Sequence, residues 1–337
     1  GMCSYQTAMH MLTSANIKAG ERVLVTGASG FVGRAVLPRL VEAGHDVVAA
    51  VRTPPAFEQP GVTWHPIGDL GSADWTPALA GVDAVLHLAA RVHVMNDTVA
   101  DPLAAFRAVN VIATERLAEA AAAAGVRRFV FVSSIKAMLD HGSDRAVTAD
   151  DAPVPTTPYG VSKLEAERSV ARIAATGDME FVTFRPPLIY GPGVKGNFLS
   201  LMRACERGIP LPLGAIRNRR SIVFLENFAD ALMTSLDHPA VAGGTYLVHD
   251  DVLSVTQLVT EIGRALGKPP RLVPLPAPVA ALLRRVPYIA PRVERLTESL
   301  HVDDRPFRED ASWTPPIGRE AAFAETVAAY RREALHA

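Results

Sequence analysis

Strand-like and helix-like segments alternate along the chain from residue 22 to about residue 185. Such alternation implies right-handed β–α–β crossovers and a mostly parallel sheet that helices cover on both faces. The strand-like runs are almost continuously apolar, which fits strands that are buried on both sides. The sequence therefore predicts an α/β fold built on a doubly wound parallel sheet. The strand-like runs are 22–26, 46–51, 62–66, 84–90, 128–134, 181–186 and 245–250, and the helix-like runs include 31–44, 102–125 and 224–238.

A glycine-rich loop follows the first strand-like run, where Gly27, Gly30 and Gly33 stand before a helical segment. Glycines let the backbone turn sharply and approach a pyrophosphate, which then lies at the positive N-terminus of the helix. The GxxGxxG spacing is one residue longer between the first two glycines than the usual dinucleotide fingerprint. A glycine triplet alone is weak evidence, but its position between a strand and a helix predicts a dinucleotide site in a Rossmann-type fold.

Residues at the next strand ends indicate which dinucleotide binds. Arg52 directly follows the second strand, where NAD sites usually carry an acidic residue and where an arginine suits the 2′-phosphate of NADP. Arg52 therefore favours NADP(H), with NAD(H) as the alternative. Asp69 and Leu70 follow the third strand, where the adenine amine is expected. An aspartate at this point is equally typical of a turn.

The composition changes after Pro186, where proline and glycine become frequent and strand-like runs become sparse. We therefore expect a smaller, mostly helical substrate domain interleaved with the nucleotide-binding domain. In the N-terminal extension, Gly1 before Met2 resembles the remnant of a cleaved tag. The expected ranges are 20–185 and 222–250 for the NAD(P)-binding Rossmann domain, 186–221 and 251–337 for the substrate domain, and 1–19 for the extension.

Charge and cysteine content argue against several classes of function. Lys and Arg number 34 against 35 Asp and Glu, a net charge of −1, whereas nucleic-acid binding usually needs a basic excess. Cys3 and Cys205 cannot form a disulfide framework. His87 and His93 have no HExxH-like spacing, so we expect no metal site. No apolar run reaches the roughly 20 residues of a membrane span, so we expect no membrane partner. With the charge balance and the two cysteines, this predicts a cytoplasmic protein that does not bind nucleic acid.

The stretch PYGVSK places Tyr159 and Lys163 four residues apart at the start of a strongly helical run, so they share one helix face. A tyrosine titrates near pH 10 in isolation, and a lysine cation beside it lowers that pKa. Such a tyrosine can exchange a proton with a hydroxyl or carbonyl group while a nicotinamide exchanges hydride with the attached carbon. Ser133 and Ser134 end a strand-like run at the sheet edge that binds ligands, so a serine is expected to hold the same oxygen.

With these motifs the chain resembles the extended short-chain dehydrogenase/reductase family, in its group of nucleotide-sugar epimerases, dehydratases and reductases. The matching segments cover about residues 20–320, so the resemblance extends over nearly the whole chain. They are TGASGFVG (26–33), GDL (68–70), HLAA (87–90), NVIAT (110–114), FVSS (131–134), YGVSK (159–163), RPPLIYGPG (185–193), NFLSLM (197–202), RRSIVFLENFADAL (219–232) and SWTPP (312–316).

The resemblance implies roles for individual residues. Tyr159 would be the general acid/base, Lys163 its partner and a contact of the nicotinamide ribose, and Ser134 the catalytic serine. Arg185 and Arg219 are weaker candidates for substrate contacts and fit a structural role as well. The implied substrate contacts are Ser133, Ser134, Asn197 and Arg220. The implied cofactor contacts are Gly27, Ser29, Gly30, Phe31, Val32, Gly33, Arg52, Asp69, Leu70, Leu88, Ala89, Ala90, Asn110, Tyr159, Lys163 and Pro186.

The residues after Ser134 bear on the reaction. Related dehydratases carry an Asp-Glu pair there, whereas this chain has Ile135 and Lys136, so dehydration is excluded. The segments HLAARVHVMND, SSIK and PLPLGAIRNRRSIV resemble bacterial enzymes of surface-polysaccharide synthesis. This favours NADPH-dependent reduction of a UDP-linked 4-keto-6-deoxy-N-acetylhexosamine. The alternative is an NAD-dependent UDP-sugar 4-epimerase with the same tyrosine. Residues 137–140 depart from the VNGE-like turn of those enzymes, so the exact sugar stays open.

Two further alternatives come from other classes. A reductase of a small non-nucleotide carbonyl would share the triad, but Asn197 and Arg220 argue against it because they suit a diphosphate. A non-catalytic NADP-binding regulator typically lacks the tyrosine or the lysine, and this chain has both. The resemblance also implies a UDP-sugar substrate and a homodimer formed through helices at 102–124 and 158–175.

Overall fold

The computed structural model describes residues 20–55, 59–92, 100–274 and 296–335. The expected extension 1–19, with Cys3, and the residue His93 lie outside these ranges. The strands are β1 Arg22–Thr26, β2 Asp46–Val51, β3 Val62–Pro66, β4 Ala84–His87, β5 Arg128–Val132, β6 Glu180–Phe184, β7 Leu188–Tyr190, β8 Arg220–Phe224, β9 Thr245–Tyr246 and β10 Asp251–Leu253. The helices are α1 Phe31–Glu42, α2 Pro102–Arg107, α3 Ala113–Ala123, α4 Pro158–Ala174, α5 Gly196–Glu206, α6 Leu225–Asp237, α7 Val255–Ala265, α8 Arg305–Asp310 and α9 Arg319–Leu335.

Seven strands form a parallel sheet in the order β3-β2-β1-β4-β5-β6-β9. The order reverses between β1 and β4, since β2 and β3 lie on one side of β1 and the later strands on the other. Open α/β sheets bind ligands in the crevice at the carboxyl ends of such strands. The prediction of a doubly wound, Rossmann-type sheet is confirmed, and this crevice is where the site is expected.

Each face of the large sheet is covered by its own apolar core. Successive side chains of a strand point to opposite faces, so Val25 packs in the core that contains Val36 of α1 and Leu232 of α6. Its neighbour Leu24 packs in the opposite core, which contains residues of α3 and α4 such as Val170. Burial on both faces explains why the strands are almost continuously apolar, and it fixes the strand ends that carry the site.

A second, three-stranded sheet lies in the part of the chain predicted to be mostly helical. Strand β7 pairs in parallel with β8, and β8 pairs antiparallel with β10. This sheet packs on α5, α7 and α9 through a core that contains Tyr190, Phe198, Val259 and Phe323. The domain boundary expected at residue 222 falls inside β8. These strands are only three to five residues long, too short for a clear periodic signal.

Two strand ends differ from the sequence prediction in a way that matters for the site. Strand β4 ends at His87 and β5 at Val132, although the apolar or small residues that follow continue the strand pattern. Beyond β5, the Ser133 N–H still donates to the Phe184 oxygen at 2.7 Å. The chain then turns into a short 3-10 helix, Ile135–Ala137. Within the described ranges every helix is too short or too polar to span a membrane.

Candidate active site

The glycine loop connects β1 to α1 and lies against the chain that leaves β4. Gly27 has a positive φ of 66°, and a Cβ at this residue would lie 2.7 Å from the backbone nitrogen of Ala89. A Cβ at Gly33 would lie 2.5 Å from the Gly27 oxygen. Glycine is required at both positions because any side chain would collide with backbone atoms. The loop therefore brings the N-terminus of α1 close to the carboxyl ends of β1 and β4.

The N-terminus of α1 is arranged to receive an anion. Gly30 is the N-cap residue, no side chain among the described residues caps it, and the first turn carries no acidic residue. Ser29 and Gly30 are exposed, and Phe31 and Val32 begin the helix half-buried. A helix N-terminus carries a partial positive charge and N–H groups without intrahelical partners. These groups fit the pyrophosphate of the dinucleotide that the sequence predicts.

The residues predicted to bind the adenosine end lie after β2 and β3. Arg52 is exposed directly after β2, as the sequence places it. Asp69 is also exposed, and its Oδ1 accepts the N–H of Gly71 at 2.8 Å, which is a turn interaction. Leu70 packs against the apolar core on that side of the sheet. The structure thus supports the turn role of Asp69, and its role in adenine binding stays a prediction.

A buried chain of hydrogen bonds fixes the end of β4. His87 Nδ1 lies 2.6 Å from Thr26 Oγ1, and His87 Nε2 lies 2.8 Å from Thr114 Oγ1. The Ala89 N–H donates to Thr26 Oγ1 at 3.2 Å. Burial, together with the charge of Lys163, lowers the pKa of His87 to about 3, so the imidazole is neutral. His87 is therefore a structural residue that holds the end of β4 beside the glycine loop.

Asn110 lies buried in a π-helical turn, Ala108–Ile112, that joins α2 to α3. Its Oδ1 accepts the Arg91 N–H at 2.8 Å, and its Nδ2 donates to the Arg91 oxygen at 3.0 Å. The same Nδ2 donates to the Ser162 hydroxyl at 3.0 Å. Protein groups bind the amide on both sides, and the cofactor contact that the sequence predicts for Asn110 stays a prediction. Asn110 holds the chain beyond β4 against α4.

The predicted catalytic residues meet at the carboxyl end of β5. Tyr159 and Lys163 lie one turn apart on α4, and Ser134 follows β5 after one intervening residue. The Ser134 hydroxyl is near enough to the Tyr159 phenol to act on its pKa. Burial raises the pKa of Tyr159, and the Ser134 hydroxyl partly offsets this rise. The phenol is therefore protonated near neutral pH, and Ser134 is the neighbour that favours its ionisation.

Lys163 is buried and bonds to the backbone of β5. Its Nζ donates to the Val132 oxygen at 2.7 Å and lies 4.1 Å from the centroid of the Phe131 ring. Burial lowers the pKa of Lys163 to about 7, whereas the Glu167 carboxylate raises it. The sequence assigns the lowering of the Tyr159 pKa to this lysine, but the group that lowers it is the Ser134 hydroxyl. The lysine is close to its own titration midpoint at neutral pH, so its charge depends on its surroundings.

Helix α4 packs against the turn after β5 through Thr157 and Gly160, whose roles the sequence analysis does not identify. The Thr157 hydroxyl caps the helix by accepting the Gly160 N–H at 3.2 Å, and it donates to Asp140 Oδ1 at 2.7 Å. A Cβ at Gly160 would lie 2.3 Å from the Lys136 oxygen. Glycine has a low helix propensity, so a glycine within the first turn of a helix is the sequence signal for a close approach.

Ser133 faces the protein interior. It is 4% exposed, and its hydroxyl donates to the Glu167 carboxylate. The structure therefore corrects the prediction that Ser133 lines the substrate pocket. Arg185 binds the same carboxylate, with its Nη2 at 2.6 Å from Oε2, which agrees with the structural role left open for it. Glu167 was missed by the sequence analysis, although its spacing of four residues from Lys163 continues the face of α4 that carries Tyr159.

The other predicted contacts lie on two sides of the crevice. Leu88 and Ala90 are half-buried after β4, and Pro186 is buried after β6, where its oxygen accepts the Ile135 N–H at 3.1 Å. In the substrate domain, Asn197 is exposed in the first turn of α5. Arg220 is half-buried at the start of β8, with its Nη1 at 3.5 Å from the Glu298 oxygen. Burial lowers the pKa of Arg220, and Glu298 raises it. The diphosphate contacts stay predictions.

Comparisons with known proteins agree with this arrangement. Residues 23–248 match the NAD dependent epimerase/dehydratase family. A UDP-glucose 4-epimerase of Vibrio cholerae is 38% identical over 322 residues, which cover 93% of this chain and 96% of that protein. A UDP-glucose 4-epimerase of Mycolicibacterium smegmatis is 30% identical over 332 residues, covering 93% and 99%.

Solved structures show the same fold. The structure of MoeE5 in complex with UDP-glucuronic acid and NAD is 29% identical to this chain, with a TM-score of 0.76 over 93% of this chain and 100% of that one. The sequence resemblance to nucleotide-sugar enzymes is thereby confirmed, and the protein is an enzyme of this type. The chain belongs to the NAD dependent epimerase/dehydratase family, within the nucleotide-sugar group of the extended short-chain dehydrogenases/reductases.

Proposed function

We propose that the protein is an NAD-dependent UDP-sugar 4-epimerase. The observation that carries the proposal is the 38% identity to the Vibrio cholerae UDP-glucose 4-epimerase across 93% of this chain. The sequence analysis ranks a reductase of a UDP-linked 4-keto-6-deoxy-N-acetylhexosamine first and the epimerase second. The relatives support the epimerase better than the reductase, so the order is reversed here.

The residues at the end of β5 suit the proton transfers of such a reaction. A bound nicotinamide dinucleotide supplies the hydride exchange at the sugar carbon. Tyr159 takes the proton of the 4-hydroxyl when the carbon is oxidised and returns it to the oxygen when the carbon is reduced on its other face. Ser134 donates a hydrogen bond to the same oxygen. Because one proton and one hydride leave and return, the reaction consumes no external reductant.

The environment of Tyr159 favours a protonated phenol before the reaction begins. Burial raises the pKa of the phenol, so the proton is in place for the reductive half of the cycle. The oxidative half needs the phenolate, which the neighbouring Ser134 hydroxyl favours, and Lys163 lies one helical turn away on α4. Lys163 has a pKa of about 7 because of its burial. The reaction should therefore depend on pH near neutrality.

A second candidate is the NADPH-dependent reductase of a UDP-4-keto sugar, and Arg52 favours it. Arg52 is exposed at the end of β2, where an arginine suits the 2′-phosphate of NADP. A reductase exchanges its cofactor in each turnover, whereas an epimerase recovers the hydride. The reductase therefore consumes one NADPH for each sugar, whereas the epimerase consumes no cofactor.

The test is a reaction with purified protein and no added cofactor. UDP-glucose, UDP-galactose and their N-acetyl counterparts are incubated separately, and the anomeric signals are followed by proton NMR. We expect interconversion of the 4-epimers by wild type, its loss in Tyr159→Phe and its retention in Tyr246→Phe, a tyrosine bonded to Asp310 in the core. Unchanged sugars, together with stoichiometric oxidation of NADPH by a UDP-4-keto sugar, would establish the reductase instead.

We also propose a homodimer through the helices at 102–124 and 158–175. Ile112 is 47% exposed on this surface, and the Arg107–Glu165 ion pair already joins the two helices within one chain. Ile112→Arg should shift the sedimentation coefficient from that of a dimer to that of a monomer. An unchanged coefficient would place the interface elsewhere.

A further inference from the structure

A buried carboxylate extends the catalytic face of α4 by one more turn. Glu167 lies four residues after Lys163 and eight after Tyr159, so the three side chains share one helix face. Glu167 is 6% exposed. A buried carboxylate is stable only when charge partners and hydrogen bonds surround it, and its partners here belong to the segments that build the site.

Arg185 provides the charge partner of Glu167. Its Nη2 lies 2.6 Å from Oε2, and its Nε lies 3.1 Å from both carboxylate oxygens. Arg185 is 7% exposed and follows β6 directly. Its Nη1 donates to the Ala149 oxygen at 3.2 Å. Ala149 belongs to the loop between Ser134 and Tyr159, so the ion pair also holds this loop.

Ser133 connects the carboxylate to the catalytic serine. The Ser133 hydroxyl donates to Glu167, and its N–H donates to the Phe184 oxygen at 2.7 Å. On the other side of Ser134, the Ile135 N–H donates to the Pro186 oxygen at 3.1 Å. Both neighbours of Ser134 are therefore fixed, and the Glu167 carboxylate fixes the side chain of one of them.

Lys163 is linked to Glu167 through charge. Around its ammonium lie Glu167 on its own helix, the neutral His87 of β4 and the ring of Phe131 in β5. Arg185 reaches this region through its ion pair with Glu167. Among the described residues, the negative charge that favours the Lys163 ammonium is the Glu167 carboxylate.

We propose that Glu167 is a positioning residue for the proton transfer, one that holds Ser134 beside Tyr159 and places a carboxylate one helical turn from Lys163. The expected effect on kcat rests on the proposed function, since turnover depends on the Tyr159 proton. The expected effect on the titration of Lys163 does not, because the charge of Lys163 can be measured without any sugar substrate. Glu167 itself touches no reacting atom in this role.

The experiment measures the titration of Lys163 in the NAD-loaded enzyme. The chain has five lysines, so NMR signals of isotope-labelled lysine side chains are few, and Lys163→Met assigns the one at issue. Glu167→Gln should lower the midpoint of Lys163 by about one pH unit, since a nearby opposite charge is removed. The alkaline limb of the kcat profile should move to lower pH by a similar amount, with kcat lowered about tenfold and KM for the sugar changed less than about twofold.

Glu165→Gln is the matched control on the same helix. Its carboxylate binds the exposed Arg107, with Arg107 Nε at 2.8 Å from Oε2, and it has no part in the site. We expect the Lys163 midpoint and kcat of this variant to equal those of wild type. A shift as large in Glu165→Gln as in Glu167→Gln would overturn the proposal, because the effect would then be nonspecific.

Glu167→Gln leaves the buried Arg185 charge without its partner, which can prevent folding. The double variant Glu167→Gln with Arg185→Gln removes both charges, and Ser133→Ala removes the hydroxyl contact alone. If the double variant folds and both its Lys163 titration midpoint and its kcat equal those of wild type, the positioning role is overturned. If wild type interconverts no UDP-sugar while the midpoint still falls, the epimerase proposal fails and the link between Glu167 and Lys163 stands.

Discussion

Gly160 and Lys136 approach so closely that a Cβ on Gly160 would lie 2.3 Å from the Lys136 carbonyl oxygen. Gly160 directly follows Tyr159 in the first turn of α4. Lys136 lies in the 3-10 turn whose N-cap is Ser134, with the Lys136 N–H at 3.2 Å from the Ser134 hydroxyl. The separation of Tyr159 and Ser134 therefore depends on the absence of a side chain at position 160.

Gly160→Ala should lower kcat by about 100-fold, because a displacement of about 1 Å between reacting groups has an effect of this size. The added methyl group must push α4 away from the turn, which moves Tyr159 away from Ser134. Cofactor content should stay at the wild-type level, since the glycine loop is unaffected. Steady-state epimerisation of UDP-galactose measures the effect. Gly177→Ala is the control because its Cβ would meet nothing within 4 Å, and wild-type kcat in Gly160→Ala would contradict the argument.

Gly27→Ala should abolish binding of the dinucleotide. The residue has a φ of 66°, and its Cβ would lie 2.7 Å from the Ala89 nitrogen, so the loop must move away from the end of β4. Gly125→Ala is the matched control, because Gly125 has a similar φ of 79° with nothing within 4 Å of its Cβ. Both variants carry the cost of a positive φ, about 1–2 kcal/mol. Titration of cofactor fluorescence should show loss of binding in Gly27→Ala alone, and equal binding in both would refute the close-approach explanation.

Local patterns predicted the large sheet, the glycine loop and the Tyr159–Lys163 pair, because each depends on residues near one another in the chain. The roles of Ser133 and Asn110 could not be predicted in the same way. Which of two adjacent serines faces the site depends on Glu167, which lies on another element. The inward position of Asn110 depends on a π-helical turn that has no distinct sequence signal.

The second sheet shows a further limit of sequence patterns. The sequence analysis assigns no strand to residues 220–223, and it places the residues of β7 in a segment rich in proline and glycine. Their partners β8 and β10 come from segments far apart in the chain, and three-residue strands cannot show a period of two reliably. The second sheet therefore leaves no local pattern from which it could be predicted.

Arg52→Ala should weaken the binding of NADPH about tenfold and change the binding of NADH less than about twofold. An exposed guanidinium directly after the second strand suits a 2′-phosphate, and loss of one charged hydrogen bond costs about 1.5 kcal/mol. NADH lacks this phosphate and serves as the control ligand in the same protein. Calorimetric titration of both cofactors provides the measurement. An equal loss of affinity for NADH would mean that Arg52 binds a part shared by both cofactors, and the argument from Arg52 for an NADPH-dependent reductase would fail.

Asp250→Asn should stabilise the protein at mildly alkaline pH. Burial raises the pKa of Asp250 to about 7, while the Phe224 N–H and the Asn227 side chain lower it. The unfolded value is near 4, so the folded state binds the proton more tightly and its stability falls as pH rises from about 4 to about 7, with the full penalty above that. Asparagine has no charge to bury, and its amide oxygen can still accept the Phe224 N–H. We expect the thermal midpoint to rise by about 2–4 °C in alkaline buffer and to change little in mildly acidic buffer. Exposed Asp178→Asn should show no such difference between the two buffers, and a midpoint that falls in Asp250→Asn at alkaline pH would show that the ionised carboxylate is stabilising.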